Sequence, residues 1–123
     1  MMNDTLKAFL NRVADQNDFA VEPVSVNTHG LLGDTPLHVA TVSGDTRVMD
    51  LLLDAGAEID AHGELGKTPL HEAVGQRHLE AVKLLLRRGA SLSVTNDDGF
   101  TLLQTAQILG HSEIESLLHN HAA

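Results

Sequence analysis

The chain has no cysteine, no tryptophan and no tyrosine. The first absence excludes disulfides and thiolate metal sites, and it leaves the redox compartment open. The others, with only three phenylalanines, mean that the core must be aliphatic, built from Leu, Val, Ile and Ala. Basic residues are also scarce: 8 Lys and Arg stand against 17 Asp and Glu, a net charge of −9. That balance opposes nucleic acid and anionic lipid surfaces as partners, and it permits a basic protein. The start, Met1-Met2-Asn3-Asp4-Thr5-Leu6-Lys7, has no basic leader running into a long apolar stretch. No signal peptide or membrane span is expected, and the default location is cytoplasmic. At 123 residues, 42% of them hydrophobic, this is one small domain.

What the chain does have is a period. Thr35-Pro36-Leu37-His38-Val39-Ala40 returns as Thr68-Pro69-Leu70-His71-Glu72-Ala73 after 33 residues. It returns again, altered, as Thr101-Leu102-Leu103-Gln104-Thr105-Ala106. A fixed step of this length marks a stacked solenoid, in which each unit buries its apolar face only against its neighbours. The register assigns repeats to about 31–63, 64–96 and 97–123, within a repeat domain spanning 26–123. Residues 1–25 precede it as a capping helix and an extended connection. Leu6, Phe9, Leu10 and Val13 share one helical face, Asn3 or Asp4 is the N-cap, and the helix should end near Asn17. Phe19 to Val26 reads as extended, with Pro23 barring helix.

Within each unit the punctuation has physical reasons. Gly33, Gly66 and Gly99 fall where a tight turn needs positive φ. Thr35 and Thr68 cap a short first helix with proline at its first position, ending near Ser43-Gly44 and near Gly110. A longer second helix carries the inward stripe Val48, Leu51, Leu52; Ala81, Leu84, Leu85; and Ile114, Leu117, Leu118. Each buried leucine stabilises by about 1.5–3 kcal/mol. Gly56 and Gly89 stop these helices. In the middle unit Arg77 replaces the Gly44 and Gly110 of its neighbours, so its inter-helix turn should be shaped differently.

The period and the Thr-Pro-Leu-His-x-Ala motif resemble the ankyrin repeat, over residues 26–121. The resemblance implies an all-α solenoid of helix-turn-helix repeats joined by hairpin-like loops. It also implies a non-catalytic protein-binding role, and a structural task for His38 and His71: bonding backbone groups that lock neighbouring loops. The third repeat departs from the pattern. It has Leu102 for proline, Gln104 for histidine and Ala122 at the place of Gly56 and Gly89. Glu115 and His119 stand at former packing positions, as a terminal unit requires, and no further repeat is expected.

No set of residues supports an enzyme, a cofactor or a metal. His119 and His121 are two apart and would not share a helix face. Asn96-Asp97-Asp98-Gly99 lacks the alternating ligands and closing glutamate of a calcium loop, and reads as a turn. Residues one period apart should be neighbours, pairing Asp50 with Lys83, Asp54 with Arg87 and Arg47 with Glu80, and leaving Arg88 and Lys67 over. Each exposed pair is worth about 0–1 kcal/mol.

The partner-binding residues should lie on the loop tips and the first-helix face. The tips are Leu31-Leu32, Glu64-Leu65 and Asp97-Asp98, followed by Asp34, Lys67 and Phe100. The first helices add Val42, Gln76, Ile108 and Leu109. Apolar residues where propensity favours polar ones suggest a binding ladder rimmed by acids. Alternatively they pack along the stack or against the N-terminal connection. The expected partner is another protein, the chain itself being a monomer. The alternatives are a scaffold that dimerises through the apolar tips, or a regulator, inhibitor or immunity-type subunit of an enzyme.

Overall fold

The computed structural model describes residues 3–15 and 24–122, leaving aside the Ala122 side chain. Most of the expected connection and the expected helix end near Asn17 lie outside the described residues. Seven α-helices follow in order among those described: α1 Asp4–Ala14, α2 Pro36–Ser43, α3 Thr46–Asp54, α4 Pro69–Gly75, α5 Leu79–Arg87, α6 Leu102–Leu109 and α7 Ser112–Ala122. The chain is all-α, an isolated bridge between Thr95 and Thr101 being the one β-type pairing among them.

Each helix pair folds because local signals agree. The hydroxyls of Thr68 and Thr101 accept from the backbone N–H three residues on, and the threonine N–H donates back to that residue's side chain. This capping box satisfies two groups that a helix start leaves open. The helices α2, α4 and α6 then stack as one layer, and α3, α5 and α7 as a second. Between them lie Leu37, Met49, Leu52, Leu70, Val82, Leu85, Leu102 and Ile114, all shut off from solvent. Asn3 caps α1 by accepting from the N–H groups of Thr5 and Leu6. Its buried face of Leu6, Phe9, Leu10 and Val13 packs on α3 and α2.

The turn between helices corrects an expectation. Arg77 adopts φ +59°, the left-handed conformation of Gly44 (+72°) and Gly110 (+71°). The same closing bond appears in all three turns: Asp45 N–H to Ala40 O, His78 N–H to Ala73 O, and His111 N–H to Ala106 O. The middle turn is therefore shaped like the others. The arginine bears the backbone strain that glycine avoids.

The rungs of charge also differ from the register. Arg88, expected to be left over, donates to Asp54 at 2.9 Å and to Asp50 at 3.3 Å. Lys83 pairs within its own helix with Glu80 at 3.6 Å. Among the described residues Arg47 and Arg87 form no ion pair. A side chain just past the helix end can bridge two carboxylates one turn apart, which a residue level with a single rung cannot.

Candidate functional site

Three loops project beyond α2, α4 and α6, and they share one backbone pattern. Gly30 N–H donates to Asp34 O, Gly63 N–H to Lys67 O, and Asn96 N–H to Phe100 O. Inside each loop Gly33, Gly66 and Gly99 take positive φ and donate back three residues. His29 Nδ1 bonds Gly33 O and His62 Nδ1 bonds Gly66 O. The third loop has no histidine there and is held differently, the Asn96 carboxamide oxygen accepting from Asp98 and Phe100 N–H. The Asn96-to-Gly99 stretch is thus a turn held by its own asparagine.

His38 joins two loops. Thr35 N–H donates to its Nδ1 at 3.0 Å, so the proton sits on Nε2, which donates to Lys67 O at 2.8 Å. Gly63 allows this approach, because a Cβ there would strike the His38 ring and the Asp34 carboxylate. That carboxylate accepts from Glu64 N–H at 2.8 Å. His71 repeats the inner half of the arrangement with Thr68, and its ring faces the Phe100 backbone as His38 faces Lys67, but Nε2 does not close a bond there of the same quality. Burial holds both imidazoles below their ordinary pKa, the Lys67 carbonyl opposing the shift at His38.

The residues expected at the site are all at or near the surface. Leu31 is 68% exposed, Ile108 65%, Leu65 58% and Phe100 41%, while Leu32, Val42 and Leu109 are similarly open. Glu64, Gln76, Asp97 and Asp98 are exposed, and Asp34 and Lys67 are half-buried. A groove of about 360 Å³ between the second and third repeats gathers Leu65, Lys67, Gln76, Asp98, Phe100, Ile108 and Leu109. Leu31, Leu32, Val42, Asp34, Glu64 and Asp97 do not line it. Val42 serves a separate purpose, its carbonyl bonding His78 Nε2 at 2.8 Å.

Sequence reasoning missed Glu72, which also lines the groove. Its side chain is 13% exposed and its ammonium partner, Lys67 Nζ, stands off at 4.0 Å. Burial raises its pKa above the usual carboxylate value. Lys67 opposes that rise, and the negative charges of Asp34 and Glu64 add to it. The available signal was the variable position of the motif, where Val39 and Thr105 stand in the other copies. Among the described residues no cluster of His, Asp and Glu could hold a metal ion, and no helix is long and apolar enough to cross a membrane.

Stacked two-helix units with outward loops define a helical repeat protein that offers one continuous face of loops and first helices. The family model described as "Ankyrin repeats (3 copies)" matches residues 2–96, and the chain belongs to the ankyrin repeat family. Such repeats are generally protein–protein interaction modules, and domains built from them are typically non-catalytic. The matched span begins ahead of α1 and stops before the unit at 97–122, which nevertheless keeps the loop bonds and the capping box. No curated protein sequence matches the chain.

Proposed function

We propose that the chain is a non-catalytic recognition module that grips a partner protein through its loop tips and first-helix face. The observation that carries this reading is where the exposed large apolar side chains lie. Among the described residues these are Leu31, Leu32, Val42, Leu65, Phe100, Ile108 and Leu109, all on the loops and first helices and none on α3, α5 or α7. Four of them, Leu65, Phe100, Ile108 and Leu109, meet in one groove, and clustered apolar side chains are what protein interfaces use at their centre. Residues 1–25 serve as the cap of this module and 26–123 as its repeat domain.

The double variant Leu65→Asp with Phe100→Asp tests the proposal. It should melt within a few degrees of the parent, because both side chains are open to water, and it should lose capture of partners from lysate of the source cell. A large fall in melting temperature, or unchanged capture, would reject the reading.

A further inference from the structure

We propose that the groove between the second and third repeats takes a partner segment carrying a lysine or arginine, which pairs with Glu72 beside an apolar side chain lodged against Phe100 and Ile108. This rests on the recognition reading above and specifies what is recognised. The groove's volume is at the scale of a side-chain pocket, and its walls combine apolar faces with a few polar groups.

Glu72 is the group that sets the chemistry. A carboxylate so far withdrawn from water is costly unless a cation closes on it, and its one ionic partner stands at 4.0 Å. The fold does not require an acid here, since valine and threonine fill the same place in the neighbouring repeats. The surroundings repel anions. Glu72 and Asp98 line the groove with a single ammonium, that of Lys67, and the negative charges of Asp34 and Glu64 also act on Glu72. Lys67 is 39% exposed at its side chain and can swing aside for a better-placed cation.

A second observation is independent of charge. His71, 3% exposed, lines the same groove, and its Nε2 meets the Phe100 backbone without the 2.8 Å bond by which its counterpart His38 closes on the next loop. Buried polar groups are almost always satisfied, so a ring nitrogen whose bond is left slack at a pocket wall leaves room for a neighbouring group to complete it. The rim supplies a third sign. Leu65 holds φ +59°, a strained backbone for leucine, and keeps its side chain in water.

Selection of a random peptide display library on the intact chain tests the proposal. Enriched peptides should place Lys or Arg beside Leu, Ile, Met or Phe. Glu72→Gln should weaken a selected peptide by about tenfold in fluorescence anisotropy. Glu72→Lys should turn the selection toward acidic peptides, and Glu72→Val, copying Val39, should keep the parent's melting temperature while losing the basic preference. Enrichment without basic residues, affinity indifferent to Glu72→Gln, or no enrichment at all would overturn the proposal. So would a dimer at micromolar concentration that Phe100→Asp dissolves and a selected peptide does not. None of these peptide outcomes decides whether the face binds proteins, which the Leu65 and Phe100 variant settles separately.

Discussion

The junction joining repeats 31–63 and 64–96 is bolted by several side-chain bonds, while the junction joining 64–96 and 97–122 is held more loosely. Across the first, His38 reaches Lys67 O, Asp34 reaches Glu64 N–H, His78 reaches Val42 O, Asp60 accepts from Ser91 N–H, and Arg88 spans Asp50 and Asp54. Across the second, Asp97 N–H donates to Leu65 O, the Asn96 carboxamide accepts from Asp98 and Phe100 N–H within the loop that joins the units, and the His71 ring only approaches the Phe100 backbone. Both nitrogens of His111, the counterpart of His78, lack partners. Apolar contact is kept at both junctions, so cohesion does not need the bolts. Directional bonds fix the spacing of neighbouring loops, and the groove lies at the junction where they are fewer.

The largest effect should come from breaking the symmetry between the two motif histidines. Gln104 already shows that glutamine can accept from the capping threonine N–H. Glutamine cannot also reach the next loop. His38→Gln should therefore lose one cross-repeat bond and some packing, about 1–2 kcal/mol at neutral pH, read from urea denaturation. His71→Gln gives up only a slacker approach to the Phe100 backbone and should cost clearly less. Equal losses would mean that the two junctions are tied alike.

The pair also predicts a pH dependence. Both rings have folded pKa values below the ordinary 6.5 because burial disfavours the cation. Between the folded and unfolded values the unfolded chain binds more protons, so stability is full above about pH 6.5 and falls as acid is added. Each glutamine variant should flatten that fall, and replacing both should flatten it most. An unchanged slope would place the acid sensitivity in other groups.

The extent to which the sequence foretold this arrangement divides by the range of the interactions. Period, caps, turn glycines and the inward stripe from Val48 to Leu118 were legible because turn chemistry and helical periodicity act within a few residues. The exposed ladder from Leu31 to Leu109 was legible too, since the register assigns each position a face. Glu72, the slack second junction and the double reach of Arg88 were not. These depend on side-chain length and lateral offset between units 29 to 38 residues apart, as with His38 to Lys67 and Arg88 to Asp50. Arg77 was read in the wrong sense for a related reason. The surrounding hydrogen bonds impose the turn, and the local residue preference yields to them.

That imposed turn gives a prediction of about 1 kcal/mol in the stabilising direction. Arg77→Gly would relieve a left-handed backbone that glycine adopts freely, at some cost in unfolded-chain entropy. The urea midpoint should rise modestly, bringing the middle turn level with those at Gly44 and Gly110. A fall would show that the arginine side chain contributes a contact worth more than the strain.

The smallest effect should come from the most visible bolt. Arg88→Ala removes contacts at 2.9 and 3.3 Å, yet the carboxylates are 66% and 47% exposed at their side chains. Water already solvates them, so the loss should stay below about 1 kcal/mol. At 1 M salt the screening length shrinks to about 3 Å, and the variant and parent should become nearly equal in stability. Arg87→Ala is the sharper control, because simple translation of the repeat pairs that residue with Asp54, whereas Arg88 holds the carboxylate. It should be silent at either salt concentration. A salt-sensitive loss at Arg87 matching that at Arg88 would mean that the charge rungs follow the 33-residue step after all, and that the bolted junction is set by register rather than by reach.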